Sequence, residues 1–340
     1  MYTIVHLWRR LMKMNTGSVF VLTFFVILLS SLLLRRLEPA TFPTLLESVY
    51  FVMTTVVTVG YGDYSPKTDL GKLFVMSLYV YGIGLMTLFI GRFFDAVATW
   101  RRWREEGKLA YKKKGHLIFI GWGRKVETAV EEILSSYEDA EIVLIDHSLN
   151  RTPVSDERVH FIRGDAASEE VLMKANLLEA GSVAIFSDER LEDALSADGK
   201  TALIALGVEG VASDHGRTVH TIVELRKSSH KKQFRYAKVD AFIPSVESVA
   251  LLMVRESLHK GSSSIYSQML SQRDGANWYE IRPRPEWKTY SAAAHALWDL
   301  GANLVAVNDN LEVARHAGEG LQASDKLYIV CSEEVYSQLK

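Results

Sequence analysis

Residues 58–63 read Thr-Val-Gly-Tyr-Gly-Asp, and their types suit one kind of chemistry. A cation leaving water loses its hydration shell, and a pore has to replace that shell with oxygens. Gly60 and Gly62 permit positive φ, which lets successive carbonyls point the same way. Thr58 adds a hydroxyl, so Thr58, Val59, Gly60 and Tyr61 are the expected oxygen donors, with Gly62 closing the run. The apolar segment 45–57 before the motif is too short to span a bilayer. It suits a re-entrant helix whose partly negative C-terminus faces the cation. Pro66 breaks the chain afterwards.

A second group lies in the middle of the chain. Gly121-x-Gly123-x-x-Val126 is an incomplete dinucleotide fingerprint. Its two glycines allow a tight turn and bring a phosphate close to a helix N-terminus. Val126 stands where a third glycine belongs, which should push helix and strand apart. Arg124 is placed to pair a phosphate, and Asp146, closing the next predicted strand, to hold a ribose hydroxyl. Two readings stand side by side: a site for an adenine nucleotide or NAD(H), and a Rossmann fold whose site is vestigial or empty. The histidines are scattered without zinc spacing. Cys331 is the single cysteine, which excludes a disulfide framework and fits a small buried residue of a late strand.

The elements around these groups follow from composition. A chain of 340 residues suits two or three domains, and a net charge of -2 gives no global signal for nucleic acid. The 48% hydrophobic content hides a local extreme in the first hundred residues. Residues 18–34 carry no charge and can cross a bilayer core. The competing signal peptide would need a small-residue cleavage site, but Arg35 and Arg36 follow. A second span is expected at 70–99, long enough to tilt or to continue past the lipid, with Trp100 and Trp103 at an interface or simply packed. Pore helix and filter then occupy 44–63, and the pore domain 1–100. Basic residues cluster beyond the second span and at Arg9, Arg10 and Lys13, which places both termini in the cytoplasm of a multi-pass cell-membrane protein. Residues 101–115 are charged and are predicted to be a linker. From His116, short apolar strands alternate with helical spacing, which predicts a doubly wound parallel sheet. Ser168 is a candidate helix cap.

The hexapeptide at 58–63 resembles the filter of potassium channels. One copy cannot close a ring, so the resemblance implies a homotetramer conducting potassium through four copies of Thr58–Gly62. Gly82 matches the family's hinge glycine, with Gly84 beside it; close helix packing is the alternative reading of both. Asp63 caps the filter outside. Thr54 stands where some relatives carry a buried glutamate that pairs with that aspartate, while Tyr50 and Phe51 take the places of the aromatic cuff. From the filter onward the chain resembles the RCK family, regulators of potassium conductance. Residues 117–130 and Arg163-Gly164-Asp165-Ala166 match its N-lobe motifs, which adds Asp165 to the nucleotide-site candidates. The resemblance implies an N-lobe at 116–260 ending in an interface helix at 246–258. It also implies a small α+β C-lobe at 266–340, with a helix at 292–300 and strands at 304–307 and within 321–330. The fold class expected overall is a two-span α-helical pore with a re-entrant helix, a Rossmann-like α/β lobe and a small α+β lobe.

Family N-lobes pair into an octameric gating ring, of which four chains supply half. Extra soluble copies are one source of the rest, although no methionine lies between Met86 and Met173 to start one. Calcium-gated relatives bind the ion with three carboxylates, and the matching positions here are Asp188, Glu224 and Arg226. Calcium wants six to eight oxygens, several anionic. A guanidinium in place of a carboxylate changes the local charge by two units, each interacting with another charge by roughly 4 kcal/mol at ~4 Å before screening. Calcium is therefore not expected at this site, and Arg226 is expected to pair with an acid such as Asp188. A ligand-gated potassium channel is the leading reading. A membrane-anchored nucleotide-dependent oxidoreductase would need a catalytic acid or base over a nicotinamide, and a regulatory subunit of a separate potassium transporter would not need an intact filter.

Overall fold

The computed structural model of the protein describes residues 15–271 and 276–340. Arg9, Arg10 and Lys13, used above for orientation, lie outside them. The chain divides into two compact units, Met1–Trp103 and Arg104–Lys340.

In the first unit, α1 spans Thr16–Leu37, α2 Leu45–Val56 and α3 Asp69–Glu105. Helices α1 and α3 are long and apolar enough to cross a membrane, and α2 is the short helix between them. Helix α2 starts where it does because Thr44 and Glu47 form a reciprocal capping box. Leu34, Phe42, Phe51, Val52, Val56, Val75 and Leu78 form the core that holds the three helices together. Helix α3 continues through Gly82 and Gly84 without a break.

In the second unit, β1 is Leu117–Ile120, α4 Arg124–Ser136, β2 Ile142–Asp146, β3 Val159–Arg163, α5 Glu169–Lys174 and β4 Ser182–Ile185. Then come α6 Ala194–Asp214, β5 His220–Leu225, a 3₁₀ helix at Ser228–Tyr236, β6 Ala241–Pro244, α7 Ser245–Leu258 and α8 Ser262–Leu270. The six strands form one parallel sheet in the order β3-β2-β1-β4-β5-β6. Strands β1 and β2 are near-continuous apolar runs, as a sheet covered on both faces requires. Strand order reverses between β1 and β4, so the crevice of a doubly wound sheet opens above that pair. A three-stranded antiparallel sheet follows, in the order β7-β9-β8, from Asn277–Ile281, Leu327–Cys331 and Asn303–Val307. Helices α9 (Tyr290–Asp299) and α10 (Glu333–Leu339) complete this lobe, whose core includes Trp287, Leu297 and Ile329.

Three expectations need correction. The stretch 101–115 is not a free linker. Helix α3 runs on to Glu105, and 104–115 then lies as a strap on the second unit. The strap is held by Thr152 N–H to Glu105 O (2.7 Å), Tyr111 N–H to Lys174 O (2.9 Å) and Gly115 N–H to Glu179 O (2.7 Å). Gly107 (φ +67°) packs so tightly that a Cβ there would sit 2.3 Å from the Arg163 nitrogen. High charge concealed this, because the strap is held both by backbone groups and by its own lysines, Lys113 pairing with Glu141 and Lys114 with Glu179. Within 321–330 only the end is strand; a turn closed by Asp325 accepting from Gln322 N–H (2.7 Å) precedes β9. Ser168 is the residue before α5, but its side chain makes no capping bond.

Candidate functional site

Two sites emerge, one in each unit. In the first, the C-terminal turn of α2 hands the chain to the Thr58–Asp63 segment. The Thr54 carbonyl accepts from Val59 N–H (2.8 Å) and Gly60 N–H (3.2 Å), and Thr55 O accepts from Thr58 N–H (3.0 Å). Positive φ alternates along the segment: Thr58 +62°, Gly60 +55° and Gly62 +78°. Alternation of left-handed and ordinary backbone turns successive carbonyls toward one side, the geometry a dehydrated cation needs. The glycines announced their part in the sequence. Thr58 did not, because a β-branched residue seldom adopts this conformation.

Aromatic side chains pack around this segment. Tyr50 stacks on Tyr61 with rings 6.4 Å apart and meets Tyr64 edge-on, while Phe42 stacks on Tyr64. Asp63 Oδ1 accepts from the Tyr64 amide (3.1 Å). Gly82 is buried, and a Cβ there would meet Val56 Cγ2 at 3.1 Å; Gly84 has open space around it. The packing reading thus applies to Gly82 directly. One acid was overlooked. Glu38 is 2% exposed and accepts from the Thr68 amide (2.7 Å) and hydroxyl (2.6 Å), tying the end of α1 to the start of α3. Gly71 makes room for it: a Cβ would stand 2.2 Å from its Oε1. A lone acid in a short apolar connection was the available signal.

The second site is a cleft above the C-terminal ends of the strands, lined by the turns after β1, β2, β3 and β4 and by Lys200 and Thr201 of α6. It gathers Gly121, Gly123, Asp146 and Asp165, four of the predicted residues. Arg124 begins α4 at its rim, with an exposed side chain. Gly121 (φ +99°) makes the turn. Val126 is buried with Phe119 and Val130 in the layer beneath α4. Asp146 is 3% exposed, but its Oδ1 already accepts from the Ser148 amide (2.7 Å), the Ser148 hydroxyl (2.6 Å) and the Leu149 amide (3.1 Å). That oxygen shapes its own turn, while the buried Oδ2 lies 3.9 Å from Arg190. Asp165 Oδ1 likewise accepts from Ala167 N–H (3.0 Å).

The acids matched to a calcium site are engaged with cations. Arg190 grips Asp188 with two bonds of 2.8 and 2.9 Å, and Lys200 adds one of 2.6 Å. The Arg190 hydrogen bond, aided by Lys200, holds the Asp188 carboxyl well below the usual carboxylate range despite burial. Glu224, 7% exposed, pairs with Lys125 and accepts from Ser187 N–H (2.9 Å). The expected pairing of Arg226 with the Asp188 carboxylate is not formed. Arg226 instead donates to the carbonyls of Asp188 (2.6 Å), Leu191 and Glu192 (3.3 Å) and to the Ser187 hydroxyl (3.1 Å), while its own amide is held by Asp198 (2.9 Å). Arg190 and Lys200, closer in the fold, took the carboxylate first.

At the opposite ends of β1 and β3, the strap lays Tyr111 between His116 and His160, with ring centroids 4.4 and 5.4 Å away. His116 Nε2 meets the Ala175 carbonyl and His160 Nε2 the Leu109 carbonyl, both at 2.9 Å. Burial pulls both histidine pKa values down. Burial, followed by its bond to Glu141, pushes Tyr111 up.

Comparison with known proteins adds family information. Residues 18–99 match a model described as "Ion channel", and residues 117–245 match the "TrkA-N domain". The chain is 31% identical over 291 residues to a Bacillus subtilis protein named "Putative potassium channel protein YugO", an alignment covering 86% of this chain and 80% of that one. It is 27% identical over 290 residues to "Calcium-gated potassium channel TvoK" of Thermoplasma volcanium, covering 82% and 80%. The fold of the human SLO3 gating ring superposes with a TM-score of 0.52 at 13% identity, covering 66% of this chain and 46% of that one.

Proposed function

This chain belongs to the family of potassium channels that join an ion-channel pore to a TrkA-N, or RCK, domain, and from that premise we propose that it is a potassium-selective channel subunit gated by a nucleotide. The family is one of channels and not of enzymes, and two helices suited to crossing a membrane place the protein in one. The alternating positive φ at Thr58, Gly60 and Gly62 carries the conduction reading. The ligand reading is supported by the cleft at the switch point, where the Gly121–Gly123 turn and the Asp146 carboxylate in its lining suit the phosphates and ribose of an adenine nucleotide or NAD(H). The calcium reading is disfavoured, because Arg226 replaces one acid and Arg190, Lys200 and Lys125 neutralise the other two.

Four copies around the filter would complete the ring of carbonyls, and the exposure of Val59 and Tyr61 in a single chain supports that assembly. Helix α7 exposes Val246, Val249, Leu251, Met253 and Val254, which suits pairing of RCK lobes. Both termini lie in the cytoplasm in this reading. The docked strap, continuous with α3, gives ligand binding a path to the pore. The test is flux through the full-length protein in liposomes. Potassium should pass far better than sodium, ADP or NADH should change the flux, and calcium should leave it unchanged. Equal permeability removes the filter reading, and a response to calcium alone removes the nucleotide reading.

A further inference from the structure

The nucleotide cleft contains an anion of its own. Glu189, on the loop between β4 and α6, sends Oε2 to the Arg124 amide at the N-terminus of α4 (3.1 Å). That oxygen lies 2.5 Å from where a Cβ on Gly123 would stand, so only a glycine turn lets it in. Its other oxygen is 3.9 Å from Lys125 Nζ, the ammonium that also holds Glu224. Free backbone N–H groups, the positive end of a helix and a nearby lysine are the features that hold a ligand phosphate at such a turn. Here a carboxylate of the same chain already uses them. Two anions cannot share this space, and a phosphate brought beside Glu189 would meet a like charge in a partly buried cleft.

We propose that Glu189 is a tethered competitor for the phosphate subsite, exchanging with the bound nucleotide and setting its affinity. The proposal rests on the nucleotide reading above. It also assigns the loop a consequence: the carbonyls of Asp188, Leu191 and Glu192 are bonded to Arg226, so a displaced Glu189 disturbs the seat of Arg226 at the end of β5.

Calorimetric titration of the full-length channel with ADP and with NADH tests it. Glu189→Gln retains a hydrogen-bond acceptor but loses the charge, and should bind at least about fivefold tighter than the parent. Glu189→Ala, which vacates the subsite, should bind at least as tightly as Glu189→Gln. Glu192→Gln removes an acid from the same loop that does not touch the turn, and should change affinity by less than about twofold. Unchanged or weaker binding by Glu189→Gln, with clear binding by the parent, overturns the competitor and leaves the nucleotide reading standing. The same shift in Glu192→Gln as in Glu189→Gln also overturns it, since general charge would then explain both. Absence of heat in the parent and every variant at millimolar ligand removes the nucleotide reading and the competitor together.

Discussion

The proposed filter and the cleft both carry backbone groups suited to a charged guest, yet they are built in opposite ways. The filter is local: α2, one turn and three residues at positive φ lie within a single short stretch. The cleft is assembled from turns far apart in sequence, and ion pairs between them fill much of its polar capacity. A local device fails at one residue without disturbing its surroundings. A distributed one shares each loss among partners, so single changes there cost stability or shift affinity.

The sharpest way to break this contrast is Gly60→Ala. A Cβ at φ +55° is sterically disfavoured, at about 1–2 kcal/mol per chain. Potassium flux should vanish while the second unit keeps its thermal unfolding; loss of both together would show that the filter is not a separable element. A smaller effect is expected from Lys125→Met. It leaves the buried Glu224 with only the Ser187 amide and should lower the stability of the second unit by about 1–3 kcal/mol, because an ion pair half open to solvent is worth less than a closed one. Denaturant unfolding measures this, and adding Glu224→Gln should restore part of the loss, since the two changes remove one interaction. If they simply add, the pair is not coupled.

The smallest effect sharpens the role of the strap. The pKa values of His116 and His160 are lowered by burial, so the folded chain favours neutral rings. Their stabilising contribution is complete above the ordinary histidine value and is lost as pH falls from there toward the lowered folded values. Asp188 acts lower on the scale: its depressed pKa gives stability that disappears only as pH falls below the ordinary carboxylate value. The thermal midpoint should therefore decline in two separate acid windows. His116→Gln with His160→Gln should flatten the first and leave the second. A first window unaltered by both substitutions would show that the histidines on either side of Tyr111 are not its origin.

Much of the molecule was legible before any coordinates. Uninterrupted apolar runs cannot be anything but spans or core, and a period of alternating short strands and helices admits few topologies, so the fold class followed from sequence, while the helices at Ala194–Asp214, Ser262–Leu270 and Glu333–Leu339 did not. The hexapeptide at 58–63 was equally plain, because only glycine tolerates the required backbone at no steric cost. Partner choice among charged side chains was not legible. Arg226 could have met Asp188, but Arg190 two residues along and Lys200 one helix away occupy that carboxylate. Glu189 reaches the start of α4, and Glu38 reaches Thr68, across separations that no spacing rule reports. Composition and periodicity fix which faces are buried, since burial depends on each residue's own chemistry. Which acid meets which cation or amide depends on relative position to within an ångström or so, and only the packed tertiary structure supplies that.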